Sequence, residues 1–252
     1  MLLETRGLRL RFPDGTLGLD GATLKLGEPG LTVVSGPNGS GKSLLIRCLL
    51  GLERVDEGEI LLDGEPAGER LAELRRRVAL VFQEPEHQIL GVTVREDVEF
   101  GPRAAGIEPE RYGPAVDAAL RRAGLLGMGD RLASALSGGE KRRLALASAL
   151  VTEPELVILD EPFNDLDWRG ASDLLRAVLA LKDGGASIAL VTHDLEKCLA
   201  HADRLVVMDG GRVARDGAPR ELWDELPALG LRRPSGGPEG LPAMSWLREG
   251  DA

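Results

Sequence analysis

Residues 31 to 50 place the strongest constraint on the fold of this 252-residue chain. Leu31–Ser35 is an apolar run, too short for a helix and bounded by glycine, which is typical of a buried strand. A glycine-rich segment follows at 36–43, and then an apolar stretch from Leu44 to Leu50 that predicts a helix. A strand, a glycine-rich turn and a helix in this order predict an open α/β sheet with an anion site where the strand ends.

The segment between the predicted strand and helix has the pattern G-x-x-x-x-G-K-S of a phosphate-binding loop. Its glycines let backbone N–H groups wrap phosphate oxygens, and the positive end of the following helix faces the same anion. Lys42 offers a compact charge to the phosphates, and Ser43 offers a hydroxyl to Mg²⁺. The alternative is a glycine-rich turn without a ligand, but the flanking strand and helix favour the phosphate site. We therefore expect nucleotide binding by Gly36, Pro37, Asn38, Gly39, Ser40, Gly41, Lys42 and Ser43.

The composition argues against several other classes of protein. With 31 basic and 41 acidic residues the net charge is −10, which disfavours bulk binding to nucleic acid. The basic runs 75–77 and 141–143 are interpreted as solvated helix faces. No apolar run approaches the ~18 residues of a membrane-spanning helix, and no secretory signal is expected at the N-terminus. Cys48 and Cys198 are too few for a disulfide framework, so we expect a reducing, cytosolic setting.

The rest of the chain alternates short apolar runs with helical patterns. The runs predict buried strands at 78–82, 156–159, 187–191 and 205–208, with helices at 171–182 and 195–202 between the last three. Such alternation predicts a mainly parallel sheet covered by helices. Period-two alternation over residues 8–26 predicts an antiparallel β layer at the N-terminus.

One segment, residues 84–151, has no buried-strand pattern. Helices are predicted to begin within it at Gly113-Pro114 and at Ser137, so we interpret it as an inserted helical subdomain. The predicted α/β domain spans residues 1–230, with its nucleotide-binding core formed by 1–83 and 152–230. The tail, 231–252, is rich in proline and glycine and is expected to be loosely ordered, or to dock through Leu241, Trp246 and Leu247.

Polar side chains follow three of the predicted strands at the point where each strand ends. Asp160 and Glu161 follow one strand, His193 another and Gln83 a third. The carboxyl ends of parallel strands share one edge of the sheet, where open α/β sheets bind ligands. Asp160 and the Gln83 amide oxygen can hold Mg²⁺, and Glu161 can accept a proton from an attacking water. The alternatives are acids placed for solubility and a structural histidine, and the phosphate-binding loop favours the functional interpretation.

Ser137 and Glu140 have the S-x-x-E spacing of a capping box at the start of a helix. Gly138 and Gly139 lie between them, although each glycine costs about 1 kcal/mol relative to alanine inside a helix. Two glycines in a first turn are useful where the backbone must approach an anion. We therefore predict both a helix cap and an anion contact for Ser137, Gly138 and Gly139.

Taken in order, these motifs resemble those of the ATP-binding cassette (ABC) ATPases, over about residues 2–225. The matching positions are 36–43 for the Walker A loop, Gln83 for the Q-loop, 136–140 for the signature motif, 156–161 for Walker B, Asp167 for the D-loop and His193 for the switch histidine. Phe12 matches the aromatic residue that stacks on adenine. The resemblance implies a P-loop NTPase fold with a mainly parallel sheet, an N-terminal antiparallel β layer and an inserted helical subdomain.

The sequence departs from the family pattern in three places. Leu44 stands where threonine is usual, which removes a hydroxyl near the α-phosphate and leaves Leu44 as an apolar member of the nucleotide site. Phe163-Asn164-Asp165 replaces the usual threonine, small residue and glycine or alanine ahead of Asp167. Glu140 replaces a common glutamine. None of these changes alters Lys42, Asp160, Glu161 or His193.

A narrower resemblance lies in the segments 81–88 and 93–102, which are similar to the ATPase subunits of energy-coupling factor transporters. That family imports vitamins or transition-metal ions such as cobalt and nickel. It implies partnership with an integral membrane coupling protein and a separate substrate-specificity subunit, at the cytoplasmic face of the membrane and with no nucleic acid. The alternatives are the ATPase of another ABC importer class and a soluble, non-transport ABC scaffold ATPase.

The resemblance also implies how the site works, with ATP and Mg²⁺ as cofactors. Glu161 would be the general base and His193 a γ-phosphate contact, while Ser43, Gln83 and Asp160 would hold the metal. A second ABC ATPase subunit, identical or paralogous, would complete each site when ATP closes the dimer. Ser137, Gly138 and Gly139 would then act on the nucleotide held by the other subunit, and the D-loop residue Asp167 is expected to belong to the nucleotide site as well.

Overall fold

A computed structural model describes residues 2–235 and 237–247 of the chain. In chain order the strands are β1 Leu3–Arg11, β2 Leu17–Leu26, β3 Gly30–Ser35, β4 Glu57–Leu62, β5 Glu65–Pro66, β6 Val78–Val81, β7 Leu156–Asp160, β8 Ser187–Val191, β9 Arg204–Asp209 and β10 Arg212–Gly217. The helices are α1 Lys42–Leu49, α2 Leu71–Arg77, α3 Val94–Ala104, α4 Pro109–Arg122, α5 Gly138–Leu150, α6 Trp168–Asp183 and α7 Pro219–Leu222.

The central sheet has the strand order β10-β9-β3-β8-β7-β6 and is parallel except for β10. Its register aligns the strand ends, because Val191 pairs with both Val34 and Asp160, and Leu159 pairs with Val81. The loops that follow β3, β6, β7 and β8 therefore leave the sheet at one edge. This arrangement confirms the predicted mainly parallel sheet.

A second, antiparallel sheet has the order β2-β1-β4-β5 and confirms the predicted N-terminal β layer. Strand β4 was not predicted, because its first half, Glu57-Gly-Glu59, is polar and exposed. The layer packs with α1 on one face of the central sheet through side chains such as Leu24, Leu45 and Leu49. Each fully buried leucine contributes about 1.5–3 kcal/mol, so this face supplies much of the core.

Helices α3 to α6 cover the other face of the central sheet. All five residues of β7 are buried, as expected of a strand that is covered on both faces. Helix α4 begins at Pro109 rather than at Gly113 as predicted, because proline is well placed at the first position of a helix. Pro114 therefore lies inside the helix. Helix α3 was missed, although Thr93 and Glu96 form a capping box at its start.

Asp97 ties the beginning of α3 to α5. It is 3 % exposed and its carboxylate accepts the N–H groups of Leu90 (2.6 Å) and Gly91 (2.9 Å) and the hydroxyl of Ser148 (2.6 Å). These bonds fix a turn that presents Leu90 and Val92 to solvent, with exposed fractions of 63 % and 67 %.

Within residues 2–235 and 237–247, every helix is too short or too polar to cross a bilayer.

The prediction of a helix over 195–202 was wrong. Two short 3₁₀ turns occupy 195–197 and 199–201, and Cys198 between them has a φ of −133°, outside the helical range. Leu195, Cys198 and Leu199 are all buried in the core. Cys48 on α1 is buried as well.

The described part of the tail docks on the domain. Leu241 is 4 % exposed, and Trp246 and Leu247 pack against the same core, so of the two alternatives the structure has these three residues docked. His201 Nε2 lies 2.7 Å from the Ser245 hydroxyl, and Lys197 Nζ lies 5.3 Å from the centre of the Trp246 ring. The remaining tail positions, 236 and 248–252, lie outside the described residues.

Candidate active site

A cavity of about 460 Å³ opens at the carboxyl edge of the central sheet. Its volume is in the range of small-molecule sites, roughly 300–1,000 Å³. It is lined by ten residues that were predicted for nucleotide binding or catalysis: Phe12, Asn38, Gly39, Gly41, Lys42, Ser43, Leu44, Gln83, Glu161 and His193. Gly18 and Asn164 line it as well and were not predicted.

The glycine-rich loop curls around the lysine at its end. Lys42 is 7 % exposed, and its amine donates to the carbonyls of Gly36 (2.8 Å) and Pro37 (3.0 Å). Burial lowers the pKa of Lys42, while Glu161 and Asp160 oppose that shift. A Cβ at Gly36 would lie 2.2 Å from the carbonyl oxygen of Met208, so only glycine fits there. Ser40 is buried beneath the loop, and its hydroxyl has no hydrogen-bond partner among the described residues.

Helix α1 begins at Lys42 with Gly41 as its N-cap residue and with no side chain capping its first turn. The first N–H groups of a helix lack partners inside the helix. The residues that carry them here, Lys42, Ser43 and Leu44, line the cavity, where a bound anion would accept their hydrogen bonds. The loop thus combines backbone donors, a helix N-terminus and one ammonium group.

Ser43 and Asp160 form the oxygen pair that was predicted for a metal. The Ser43 hydroxyl donates to the Asp160 carboxylate at 3.0 Å. Two neighbouring ligands of an octahedral Mg²⁺ also stand about 3.0 Å apart, given metal–oxygen distances of about 2.1 Å. Burial raises the pKa of Asp160, and a hydrogen bond from Ser43 partly opposes it. Gln83 lines the same cavity from an exposed loop.

The orientation of the Glu161 side chain is set by an unusual backbone conformation and by one contact at each carboxylate oxygen. Glu161 is 7 % exposed, and its φ of +45° is unusual for a residue other than glycine. Oε2 accepts the hydroxyl of Thr192 at 3.0 Å, and Oε1 lies 2.9 Å from Nδ1 of His193. Thr192 directly follows β8 and was missed, although the sheet-edge argument used for His193 applies to it equally.

Phe12, Gly18 and Leu44 form an apolar wall of the cavity. A Cβ at Gly18 would lie 2.4 Å from Leu44 and 2.8 Å from the Phe12 ring, so both side chains press against the Gly18 backbone. Phe12 is 42 % exposed, which leaves a ring face available for stacking. Leu44 therefore replaces the family's hydroxyl with additional apolar surface beside Phe12.

Eight predicted residues do not line this cavity, and four of them, Gly36, Pro37, Ser40 and Asp160, belong to the glycine-rich loop and to the strand end that contacts Ser43. The other four belong to a different site. Ser137, Gly138, Gly139 and Asp167 line a second cavity of about 520 Å³, together with Asp165 and Arg143. The chain therefore brings the predicted residues together as two groups rather than one.

The second cavity is built from two helix starts. Ser137 and Glu140 form the predicted capping box: the Glu140 N–H donates to the Ser137 hydroxyl at 3.3 Å, and the Ser137 N–H to the Glu140 carboxylate at 2.7 Å. Asp167 caps α6 by accepting the Gly170 N–H at 2.7 Å. A Cβ at Gly139 would lie 3.2 Å from the Gly170 Cα, so the two helix starts are in close contact.

The basic run 141–143 is not a solvated face throughout. Arg142 is 6 % exposed, and its guanidinium donates to the carbonyls of Glu161 (2.9 Å) and Asn164. Lys141 pairs with Glu86 at 3.0 Å, as the surface interpretation expects. The interpretation of Arg142 as solvated was wrong, because its acceptors are main-chain atoms of a distant loop that no pattern of residue types marks.

Comparisons with known proteins identify what this chain resembles. The model of the ABC transporter family matches residues 19–164. The energy-coupling factor transporter ATP-binding protein EcfA of Methanocaldococcus jannaschii is 37 % identical over 231 residues, 90 % of this chain and 83 % of that protein. EcfA2 of Symbiobacterium thermophilum is 42 % identical over 230 residues, covering 88 % and 80 %. The structure of CbiO1 from Clostridium perfringens, part of the ABC transporter complex CbiONQ, superposes with a TM-score of 0.81 at 33 % identity, covering 88 % and 90 %.

Proposed function

We propose that this chain, which belongs to the family of ABC transporter ATPases, drives an importer of the energy-coupling factor type that takes up a vitamin or a transition-metal ion. The observation that carries the ATPase part is the convergence of Lys42, the Ser43–Asp160 pair and the Glu161–His193 pair at one sheet edge. The names of the similar EcfA and CbiO1 proteins support the transport part.

The first cavity is the proposed ATP site. The loop from Gly36 to Ser43 binds the phosphates through backbone N–H groups and the Lys42 ammonium, and Phe12 stacks on the adenine. Ser43, Asp160 and Gln83 would hold Mg²⁺, which neutralises phosphate charge when bound. Phosphate oxygens would also displace the Gly36 and Pro37 carbonyls as acceptors for Lys42.

Glu161 is the proposed general base. It accepts a proton from the water that attacks the γ-phosphate, and such positioned bases contribute about 10²–10⁴-fold to a rate. Thr192 fixes one carboxylate oxygen, which leaves the other shared with His193. In our proposal His193 exchanges this contact for the γ-phosphate when ATP is bound, so that one oxygen of Glu161 becomes available to water.

The separation of the two cavities supports an enzyme that works as a dimer. Ser137, Gly138, Gly139 and Asp167 present backbone donors and a helix start at the second cavity, away from the first. Each subunit would supply this surface to the nucleotide held by its partner. ATP then closes the dimer, and hydrolysis with product release opens it.

The turn at residues 90–92 is the proposed contact with an integral membrane coupling protein, since Leu90 and Val92 are exposed and Asp97 holds the turn rigidly. It follows Gln83 in the chain, so a change at the nucleotide would be transmitted along a short segment. In our proposal the subunit therefore works at the cytoplasmic face of a membrane. The solute would be selected by a separate specificity subunit.

The Glu161→Gln variant tests the ATPase mechanism. The glutamine keeps an oxygen for Thr192 but cannot take the proton from water, so we expect turnover to fall by about 100-fold or more with ATP affinity unchanged. Turnover is measured by phosphate release and affinity by equilibrium binding. Glu69→Gln, at an exposed position outside both cavities, is the matched control. Wild-type turnover in Glu161→Gln would remove Glu161 from the mechanism.

Purification of the chain from native membranes tests the transporter assignment. We expect it to co-elute with an integral membrane coupling protein and a small specificity subunit, and Leu90→Asp with Val92→Asp to abolish the co-elution. Co-elution with membrane subunits that carry a periplasmic-type solute receptor would indicate another ABC importer class. Recovery in the soluble fraction without any membrane protein would indicate a scaffold ATPase.

A further inference from the structure

Arg142 is a buried cation that links the helix at the second cavity to a loop at the first cavity of the same chain. It lies in α5, the helix that Ser137 caps at the second cavity, but it is not among the residues that line that cavity. It donates to the carbonyl oxygens of Glu161, at 2.9 Å, and of Asn164. Glu161 and Asn164 line the first cavity, whereas the next residue, Asp165, lines the second.

The loop that Arg142 binds has an unfavourable backbone at both of its ends. Glu161 has a φ of +45° and Asp165 a φ of +58°, and neither residue is glycine. Such conformations are unfavourable for a residue that carries a Cβ, and they persist only where surrounding contacts fix them. Arg142 supplies two such contacts, one at the first strained residue and one directly before the second. Relaxation of φ at Glu161 would swing its carboxylate away from Thr192 and His193.

The neighbours of Arg142 on the helix make different contacts. Lys141 pairs with Glu86 in the loop after Gln83, and Arg143 pairs with Asp173 on α6 at 3.3 Å. Of the three basic residues in this run, only Arg142 reaches the loop of Glu161 among the described contacts. Its position is therefore specific to the backbone that carries the proposed general base.

We infer that Arg142 is a positioning residue for ATP hydrolysis, which holds the Glu161 loop in its active conformation and ties that loop to the signature helix. The inference rests on the proposed role of Glu161 as general base. Arg142 acts through Glu161 and touches no reacting atom. Its loss should therefore slow turnover without weakening ATP binding.

The test compares Arg142→Met with the wild type. Displacing a catalytic group by about 1 Å can cost about 100-fold in rate, so we expect kcat to fall by about that factor, with KM and ATP affinity within threefold. Arg122→Met, an exposed arginine of α4, is the matched control and should keep wild-type kcat. Turnover within twofold of wild type in a folded Arg142→Met protein would overturn the inference.

A double variant separates positioning from general structural damage. If Arg142 acts only through Glu161, then Arg142→Met with Glu161→Gln should turn over as slowly as Glu161→Gln alone. A further tenfold loss in the double variant, or a parallel loss of ATP affinity, would show that Arg142 supports the site in general and would overturn the inference.

Arg142→Lys covers the case in which Arg142→Met does not fold. The lysine keeps the buried charge but lacks the planar fork that reaches two carbonyls, so we expect about a tenfold loss in kcat, and wild-type turnover would overturn the inference. Wild-type turnover in Glu161→Gln would instead refute the proposed base, whereas an inactive Glu161→Gln beside a fully active Arg142→Met would refute only the role of Arg142.

Discussion

Replacing Thr192 with valine removes one hydroxyl and leaves the shape of the side chain almost unchanged. Thr192 is 1 % exposed, so water cannot substitute for the lost group. Its hydroxyl has two roles in the structure: it donates to Oε2 of Glu161 at 3.0 Å and accepts the N–H of Asp194 at 3.1 Å. The substitution therefore deprives a nearly buried carboxylate of a donor and a backbone amide of its acceptor.

The expected loss of stability follows from these two bonds. A hydrogen bond to a charged group contributes about 1.5–3 kcal/mol and a neutral one about 1 kcal/mol, so the free energy of unfolding should fall by about 2.5–4 kcal/mol. For a chain of this size that corresponds to a decrease in Tm of roughly 5–15 °C. With only His193 left to hold the carboxylate of Glu161, kcat should fall by about 10- to 100-fold.

Differential scanning calorimetry and a phosphate-release assay at saturating Mg-ATP measure the two effects. Thr32→Val is the matched control, since Thr32 lies in the adjacent strand β3 and its hydroxyl makes no hydrogen bond among the described contacts. We expect that variant to melt within about 2 °C of wild type. If Thr192→Val also melted within 2 °C and kept wild-type kcat, the hydroxyl would not hold Glu161 and the description of this site would be wrong.

Two further variants test other parts of the structure. Ser137→Arg places a long cation in the second cavity and removes a helix cap, at a cost in stability of about 1 kcal/mol. In the Glu161→Gln background we expect it to abolish ATP-dependent dimerisation, measured by size-exclusion chromatography, while the monomer still binds ATP. Burial lowers the pKa of His201 in the folded protein, and the nearby Lys182 lowers it further. The imidazole is therefore protonated more readily in the unfolded chain, so the free energy of unfolding falls as the pH drops below the ordinary histidine pKa near 6.5. His201→Gln should therefore lose less Tm than wild type between pH 7.5 and pH 5.5, and equal losses would contradict this assignment.

The sequence predicted those parts of the fold that depend on strong apolar patterns. The strands at 156–160 and 187–191 are buried on both faces and therefore stand out as continuous apolar runs. Strands β4 and β10 lie near sheet edges and carry exposed polar residues, so no periodicity marks them. The break at Cys198 arises from tertiary packing, which overrides a pattern that is locally helical.

The same distinction applies to the candidate site. Lys42, Asp160, Glu161 and His193 could be predicted because each belongs to a segment whose strand or helix can be recognised, and the ends of those segments meet. Arg142 could not be predicted, since its partners are carbonyl oxygens, which every residue type carries. The grouping of Ser137, Gly138 and Gly139 with Asp167 in the second cavity could not be predicted either, because it results from the packing of α5 against α6 and not from the spacing of these residues in the sequence.

The burial of both cysteines has a practical consequence for experiments on the proposed dimer. Burial raises the pKa of the Cys48 thiol to about 11 and raises that of Cys198 as well, so neither provides much thiolate at neutral pH. Alkylating dyes and spin labels react with the thiolate and need access to it. The two native cysteines should therefore react little with such reagents. A single cysteine introduced at the rim of either cavity would then report the proposed closure of the dimer without removal of Cys48 and Cys198.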